Sequence, residues 1–130
     1  MNSLQRILYV EDEPDIRAIA QIALESLGGF ELKVCSSGEE ALNEVEAFKP
    51  DLLLLDVMMP GMDGPRTLAA LRRLPVTANT PAIFMTAKVR PNEIDHLKSC
   101  GAIEVIPKPF DPVALSEQVR AIWDRRPEAT

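Results

Sequence analysis

The sequence predicts an α/β fold, a doubly wound parallel sheet of five strands with helices on both faces. Two observations predict it. Short apolar runs alternate with helically spaced apolar stripes five times along the chain, as a succession of βα units requires. The runs also differ in character. "ILYV", "LLLL" and "AIFM" are continuously apolar, as central parallel strands must be, whereas "FELKVC" and "IEVI" carry charges and suit the edges. Strands two and five at the edges are what the flavodoxin-like order 2-1-3-4-5 requires.

Each element follows in turn. "RILYV" is the first strand. Ile16, Ile19, Ala20, Ala23 and Leu27 then recur at helical spacing, with Pro14 in the first turn and Gly28-Gly29 at the end. "FELKVC" alternates Phe30, Leu32 and Val34 with Glu31 and Lys33, a strand with one wet face. Ser37 followed by Glu40 signals a capping box, opening a helix through Ala41, Leu42, Val45 and Phe48 that Lys49-Pro50 ends.

"DLLLLD" is the third strand. Pro65 and Pro75 bracket the third helix, with Leu68 and Leu71 facing in and Asp63 as its cap. "PAIFMT" is the fourth strand, and a helix from about Pro91 to Ser99 carries Ile94 and Leu97 until Gly101 closes it. "IEVI" is the fifth strand, and residues 112 to 125 form the last helix through Leu115, Val119 and Ile122. This is the flavodoxin-like (βα)5 architecture. It is expected as one domain over residues 1–130, with its core at about 5–125, a short polar tail "DRRPEAT" and no output domain.

Composition narrows the function. An apolar fraction of 46% and a charged fraction of 26% are those of an ordinary globular chain. A net charge of −6 argues against general attraction to nucleic acid or anionic lipid. The N-terminal "MNSLQRILYV" has an apolar stretch of only four residues, too short for a signal-peptide core. No segment approaches the roughly 18 apolar residues of a membrane span. Cys35 and Cys100 lack metal-ligand spacing and read as small packed hydrophobes. The expectation is a soluble cytoplasmic protein with neither a nucleic acid nor a membrane as partner.

Ligands of such sheets bind beyond the carboxyl ends of the strands. Four of the five ends carry reactive side chains: Glu11, Asp12 and Glu13 after strand one, Asp56 after strand three, Thr86 after strand four and Lys108 after strand five. Strand two ends in Ser36 and Ser37, which the helix cap explains. Strands one and three are neighbours, so Glu11, Asp12 and Asp56 crowd together and need a positive partner. A hard divalent cation such as Mg2+ takes oxygen ligands of this kind. A carboxylate nucleophile, a metal, a lysine and a hydroxyl together describe phosphoryl transfer onto Asp56. At the usual aspartate pKa, Asp56 is ionised at neutral pH without tuning. Glu13 reads as a solvated helix N-terminus, His96 as a surface histidine, and Trp123 as core or partner surface.

"ILYVEDEPDIR", "DLLLLDVMMPGMDG", "MTAK" and "PKPF", in this order and spacing, resemble the receiver domain of bacterial response regulators over essentially the whole chain. The resemblance implies that Asp56 is the phosphoacceptor and that Glu11 and Asp12 are the acidic pair that binds Mg2+, with Mn2+ as a substitute. The backbone carbonyl of Met58 completes the coordination, Thr86 is the switch hydroxyl and Lys108 pairs with the phosphoryl group. It also implies a cis bond between Lys108 and Pro109, and a histidine kinase or histidine phosphotransfer protein as donor. The downstream target is a protein, and the responsive face comprises the fourth helix, fifth strand and fifth helix, the face through which a homodimer would form. Met58 and Lys88 flank the path of attacking water as modulators. Two positions depart from the pattern. Glu11 stands where Asp is commoner, adding a methylene. Val105 stands where Tyr or Phe is frequent, so an aromatic swing toward the Thr86 hydroxyl cannot operate in that form.

Two other readings compete. A phosphorylation-independent interaction module would have no use for the Asp56, Thr86 and Lys108 set. A Mg2+-dependent phosphatase of small molecules would want a general acid two residues after the nucleophile, where Met58 stands, and a lid that "MMPGMDG" is too short to form.

Overall fold

The computed structural model describes residues 3–127. The expected tail at 124–130 therefore lies partly outside the described residues. Five parallel strands pair in the order β2-β1-β3-β4-β5: β1 (Arg6–Val10), β2 (Glu31–Cys35), β3 (Leu52–Asp56), β4 (Ala82–Thr86) and β5 (Glu104–Pro107). Between them run α1 (Pro14–Gln21), α2 (Gly38–Phe48), α3 (Gly64–Leu71) and α4 (Pro91–Ser99), and α5 (Leu115–Asp124) closes the fold. The charged strands β2 and β5 are the edges, and the apolar ones lie inside.

Side-chain alternation divides the core. Ile7, Tyr9, Leu52, Leu54, Ile83, Met85 and Ile106 pack with α1 and α5 on one face. Leu8, Val10, Leu53, Leu55, Phe84 and Val105 pack with α2, α3 and α4 on the other. The four leucines of β3 thus serve both faces, and all are fully buried. Each contributes roughly 1.5–3 kcal/mol on leaving water. Trp123 belongs to the core, with the Arg126 guanidinium 3.7 Å from its ring centroid. Cys35 is buried, and burial pushes its thiol up to about 12, as suits an inert packing residue.

Four local expectations need correction. α1 runs on into a wider π-type stretch, Ile22–Leu27, whose extra residue per turn rotates the stripe. Leu27, within that stretch, is 59% exposed and Leu24 is buried instead, while Ile19, ahead of it in α1, is 46% exposed. At α2, Ser37 accepts from the Glu40 N–H at 3.1 Å as expected, but Glu40 reaches back to the N–H and hydroxyl of Ser36, not to Ser37. α3 ends at Leu71, before Pro75, which opens a separate 3-10 turn at Pro75–Thr77. α5 starts at Leu115 because Asp111 ties residues 111–114 into a turn, its carboxylate accepting from Val113 N–H at 2.9 Å.

The loop after β3 is held tightly. Asp63 caps α3, accepting from the Arg66 N–H at 2.9 Å, as expected. Gly64 lies so close to the strand that a Cβ there would meet the Asp56 carbonyl oxygen at 2.5 Å and the Val57 Cα at 2.9 Å. Both are backbone atoms and cannot swing aside. Gly64→Ala is therefore expected to lower the unfolding free energy by about 1–3 kcal/mol, read from urea denaturation. A variant as stable as the parent contradicts this close approach.

Candidate functional site

Register places the reactive side chains. Val10 pairs with Leu55, so one step further Glu11 and Asp56 emerge side by side at the sheet's edge. Asp56 is paired with Met85 on its other side, and Thr86 with Pro107, directly before Lys108. By alternation, Glu11, Asp56 and Lys108 continue the face of Tyr9, Leu54 and Ile106. Thr86 belongs to the opposite face. Backbone hydrogen bonds extend the ladder past its ends, from Glu11 N–H to Cys35 at 3.0 Å, Val57 N–H to Met85 at 3.1 Å and Lys108 N–H to Thr86 at 2.9 Å.

The Lys108 ammonium bridges two buried carboxylates, donating to Glu11 Oε1 at 3.0 Å and to Asp56 Oδ1 at 3.1 Å. Burial alone would pull the lysine's pKa down. Hydrogen bonds to Glu11 and Asp56, with their charges, more than offset this, so it is raised and the ammonium stays charged. Asp56 is pushed up to about 7, first by burial and next by the charge of Glu11, with Lys108 opposing. Asp56 is thus not the ordinary aspartate that its sequence context suggested. Sequence position does not reveal how far a strand end is desolvated.

The carboxylates of Glu11, Asp12 and Asp56 offer oxygens within 4.8 Å of one another. Asp12 Oδ1 is buried without a hydrogen-bond partner. A set of hard oxygen donors, one of them orphaned, fits a hard divalent cation. Arg17 of α1 fixes the backbone beneath the pair, donating to the carbonyls of Glu11 at 2.9 Å and Asp12 at 3.1 Å. Sequence reasoning missed Arg17, although a cation one turn into a helix, where the dipole disfavours it, was a signal.

The remaining residues divide. Thr86 is buried, and its hydroxyl oxygen accepts from the Lys88 N–H at 3.1 Å, which leaves its proton available. Thr86 and Lys88 line an open cleft of about 300 Å³ shared with Asn92 and Leu97 of α4. Met58 follows Asp56 by two residues, with its side chain 62% exposed. Val105 is buried beside Phe84 on the face of Thr86. The Lys108–Pro109 bond is cis. Asp63 is occupied as a cap, and His96 is exposed on α4, where it lines the same cleft as Thr86 rather than lying away from the strand ends.

The family model described as the response regulator receiver domain matches residues 7–120. The chain belongs to the response regulator receiver family. Among its relatives is the DNA-binding response regulator MtrA of Mycolicibacterium smegmatis, 37% identical over 117 residues, covering 90% of this chain and 50% of that protein. The transcriptional regulatory protein CseB of Streptomyces coelicolor is 34% identical over 119 residues, 92% of this chain and 49% of its own length. The chain spans about half the length of these curated relatives. Among solved structures, the Vibrio cholerae chemotaxis protein CheY4 superposes with a TM-score of 0.84 at 28% identity, covering 92% of this chain and 99% of that one. A putative response regulator from Chloroflexus aurantiacus J-10-fl gives 0.83 at 30% identity, covering 95% and 100%. Receiver domains of two-component systems are signalling proteins rather than metabolic enzymes. They generally bind Mg2+ and interact with histidine kinases or phosphotransfer proteins.

In this receiver, folded Asp56 holds its proton more tightly than an unfolded aspartate near 3.8. Ionising it therefore weakens the fold, by a penalty that is absent below about pH 4 and complete above about pH 7. Asp56→Asn, neutral throughout, is expected to raise the metal-free Tm at pH 8 and to raise it less at pH 5. Equal gains at the two pH values in thermal melts contradict the shift.

Proposed function

We propose that this chain is a phosphoacceptor of a two-component phosphorelay, in which Asp56 takes a phosphoryl group from a phosphohistidine donor in a Mg2+-dependent step. The observation that carries the reading is one buried ammonium shared by Asp56 and Glu11 beside the orphaned Asp12 oxygen. All three carboxylates there would contact a cation, and Asp56 would also be the one that attacks. Glu11, Asp12, Asp56 and the Met58 carbonyl would hold Mg2+ (or Mn2+), which would supply the positive charge that screens the phosphoryl oxygens from the carboxylates.

The chain supplies the other groups itself. An Asp56 carboxylate oxygen forms a bond to phosphorus as the P–N bond to the donor imidazole breaks, and the electron pair stays on the ring nitrogen. Lys108 follows the negative charge onto the phosphoryl group, and the Thr86 hydroxyl turns its proton to a phosphoryl oxygen. The same groups serve hydrolysis, with Met58 and Lys88 flanking the incoming water and setting the lifetime. With Val105 in place of an aromatic, Thr86 moves without a ring following it along β5.

Three exposed apolar side chains support a protein as donor. Met58, Val89 and Val113 stand on the loops after β3, β4 and β5, around the acidic mouth. The modified residue carries about −1.5 to −2 charges, which biases the neighbouring surface and alters binding of a downstream protein. The α4–β5–α5 face is the responsive one in this reading, and the one through which a second copy would pair. Glu104 of β5 links its elements, meeting Lys98 of α4 at 3.3 Å and Arg125 at the end of α5 at 3.8 Å. The setting is the cytoplasm, where such kinases present their phosphohistidine.

Incubation with Mg2+ and either acetyl phosphate or phosphoramidate, a P–N donor, tests the proposal by intact mass. The expected result is one added phosphate, abolished by EDTA and by Asp56→Asn. No adduct with either donor, or an adduct that survives Asp56→Asn, contradicts it.

A further inference from the structure

Tyr9 is the one tyrosine of the chain. It lies in the middle of β1, fully buried, and its hydroxyl has no hydrogen-bond partner. A phenol in a doubly covered strand is costly unless its O–H is satisfied, and an aliphatic residue would fill the same core position without that cost. Tyr9 and Glu11 are two residues apart on the strand, so their side chains leave the same face. The ring packs in the cluster of Leu54 and Met85, directly below the point where Glu11 and Asp56 emerge. An ordinary phenol, with a pKa of about 10, keeps its proton at neutral pH, so Tyr9 is a standing donor beneath the site.

Glu11 is satisfied by Lys108 while the ammonium bridges to Asp56. A cation entering among the three carboxylates repels that ammonium, and a phosphoryl group on Asp56 draws it away. Glu11 then loses its charged donor and keeps only the Glu13 N–H, at 3.3 Å from Oε2, while Tyr9 has a donor to give. We propose that the Tyr9 hydroxyl is a positioning residue that takes up the Glu11 carboxylate as Lys108 leaves it, holding Glu11 in the cation-bound arrangement. The proposal rests on the reading of Glu11, Asp12 and Asp56 as the cation site. It gives the longer Glu11 side chain a support that fixes it.

Because no other tyrosine is present, 13Cζ-tyrosine labelling yields a single resonance that reports this hydroxyl directly. Saturating Mg2+ is expected to shift that resonance in the unphosphorylated protein, and the shift is expected to shrink in Glu11→Gln, a weaker acceptor. By calorimetry, Tyr9→Phe should bind Mg2+ about tenfold more weakly, the scale of one hydrogen bond to a charged group. Were Tyr9 merely structural, its replacement by Phe would leave the Mg2+ affinity alone and change at most the Tm. An unmoved resonance at saturation, or unchanged affinity in a folded Tyr9→Phe, overturns the proposal while leaving the cation site intact. Failure of the unaltered chain to bind Mg2+ overturns the site reading and this inference together.

Discussion

Parallel strands deliver their carboxyl ends to one edge of the sheet, so the charges at those ends must be balanced where they meet. In this chain the balance is a single ammonium. Lys108 reaches from the edge strand β5 to Glu11 and Asp56 at the ends of two central strands, at 3.0 and 3.1 Å. Without it, two buried carboxylates would face each other and the third, on Asp12, with no positive charge between them. The balance is also only partial. Asp56 remains pushed up to about 7 and Asp12 keeps an unpaired buried oxygen. That residual negative charge is what a hard divalent cation would neutralise.

Packing is what allows such a poorly balanced cluster to persist. The leucines of β3 are buried on both faces, so the strand bearing Asp56 cannot turn its acid outward without exposing a leucine. Gly64 seats α3 against the Asp56 carbonyl, and Arg17 of α1 clamps the carbonyls of Glu11 and Asp12. Each device holds backbone, leaving the side chains free to exchange partners. The cleft beside Thr86 leaves open space on the side of the sheet facing α4.

Much of this was legible in the sequence for a physical reason. Asp56, Glu11, Asp12, Thr86 and Lys108 are polar types set where apolar runs stop, and a parallel sheet gathers such stops at one edge. The edge positions of β2 and β5 followed from their charges, and the flavodoxin-like order supplied the rest. What escaped was anything that depends on an angle or a depth. One π-type stretch moved Leu24 inward and Leu27 outward, because apolar spacing was judged at the ordinary helical period. Glu40 chose Ser36 over Ser37 by a loop geometry that spacing does not encode. Tyr9 passed as part of an apolar run, although its hydroxyl required an acceptor that the run could not provide.

The central claim, that burial and Glu11 raise Asp56 and that a cation relieves it, is read most directly from the Asp56 side-chain carboxyl by 13C NMR titration. The account predicts a midpoint about 7 in metal-free protein, falling by more than one pH unit when Mg2+ is present at saturation. A midpoint near 4 that Mg2+ leaves in place would contradict it.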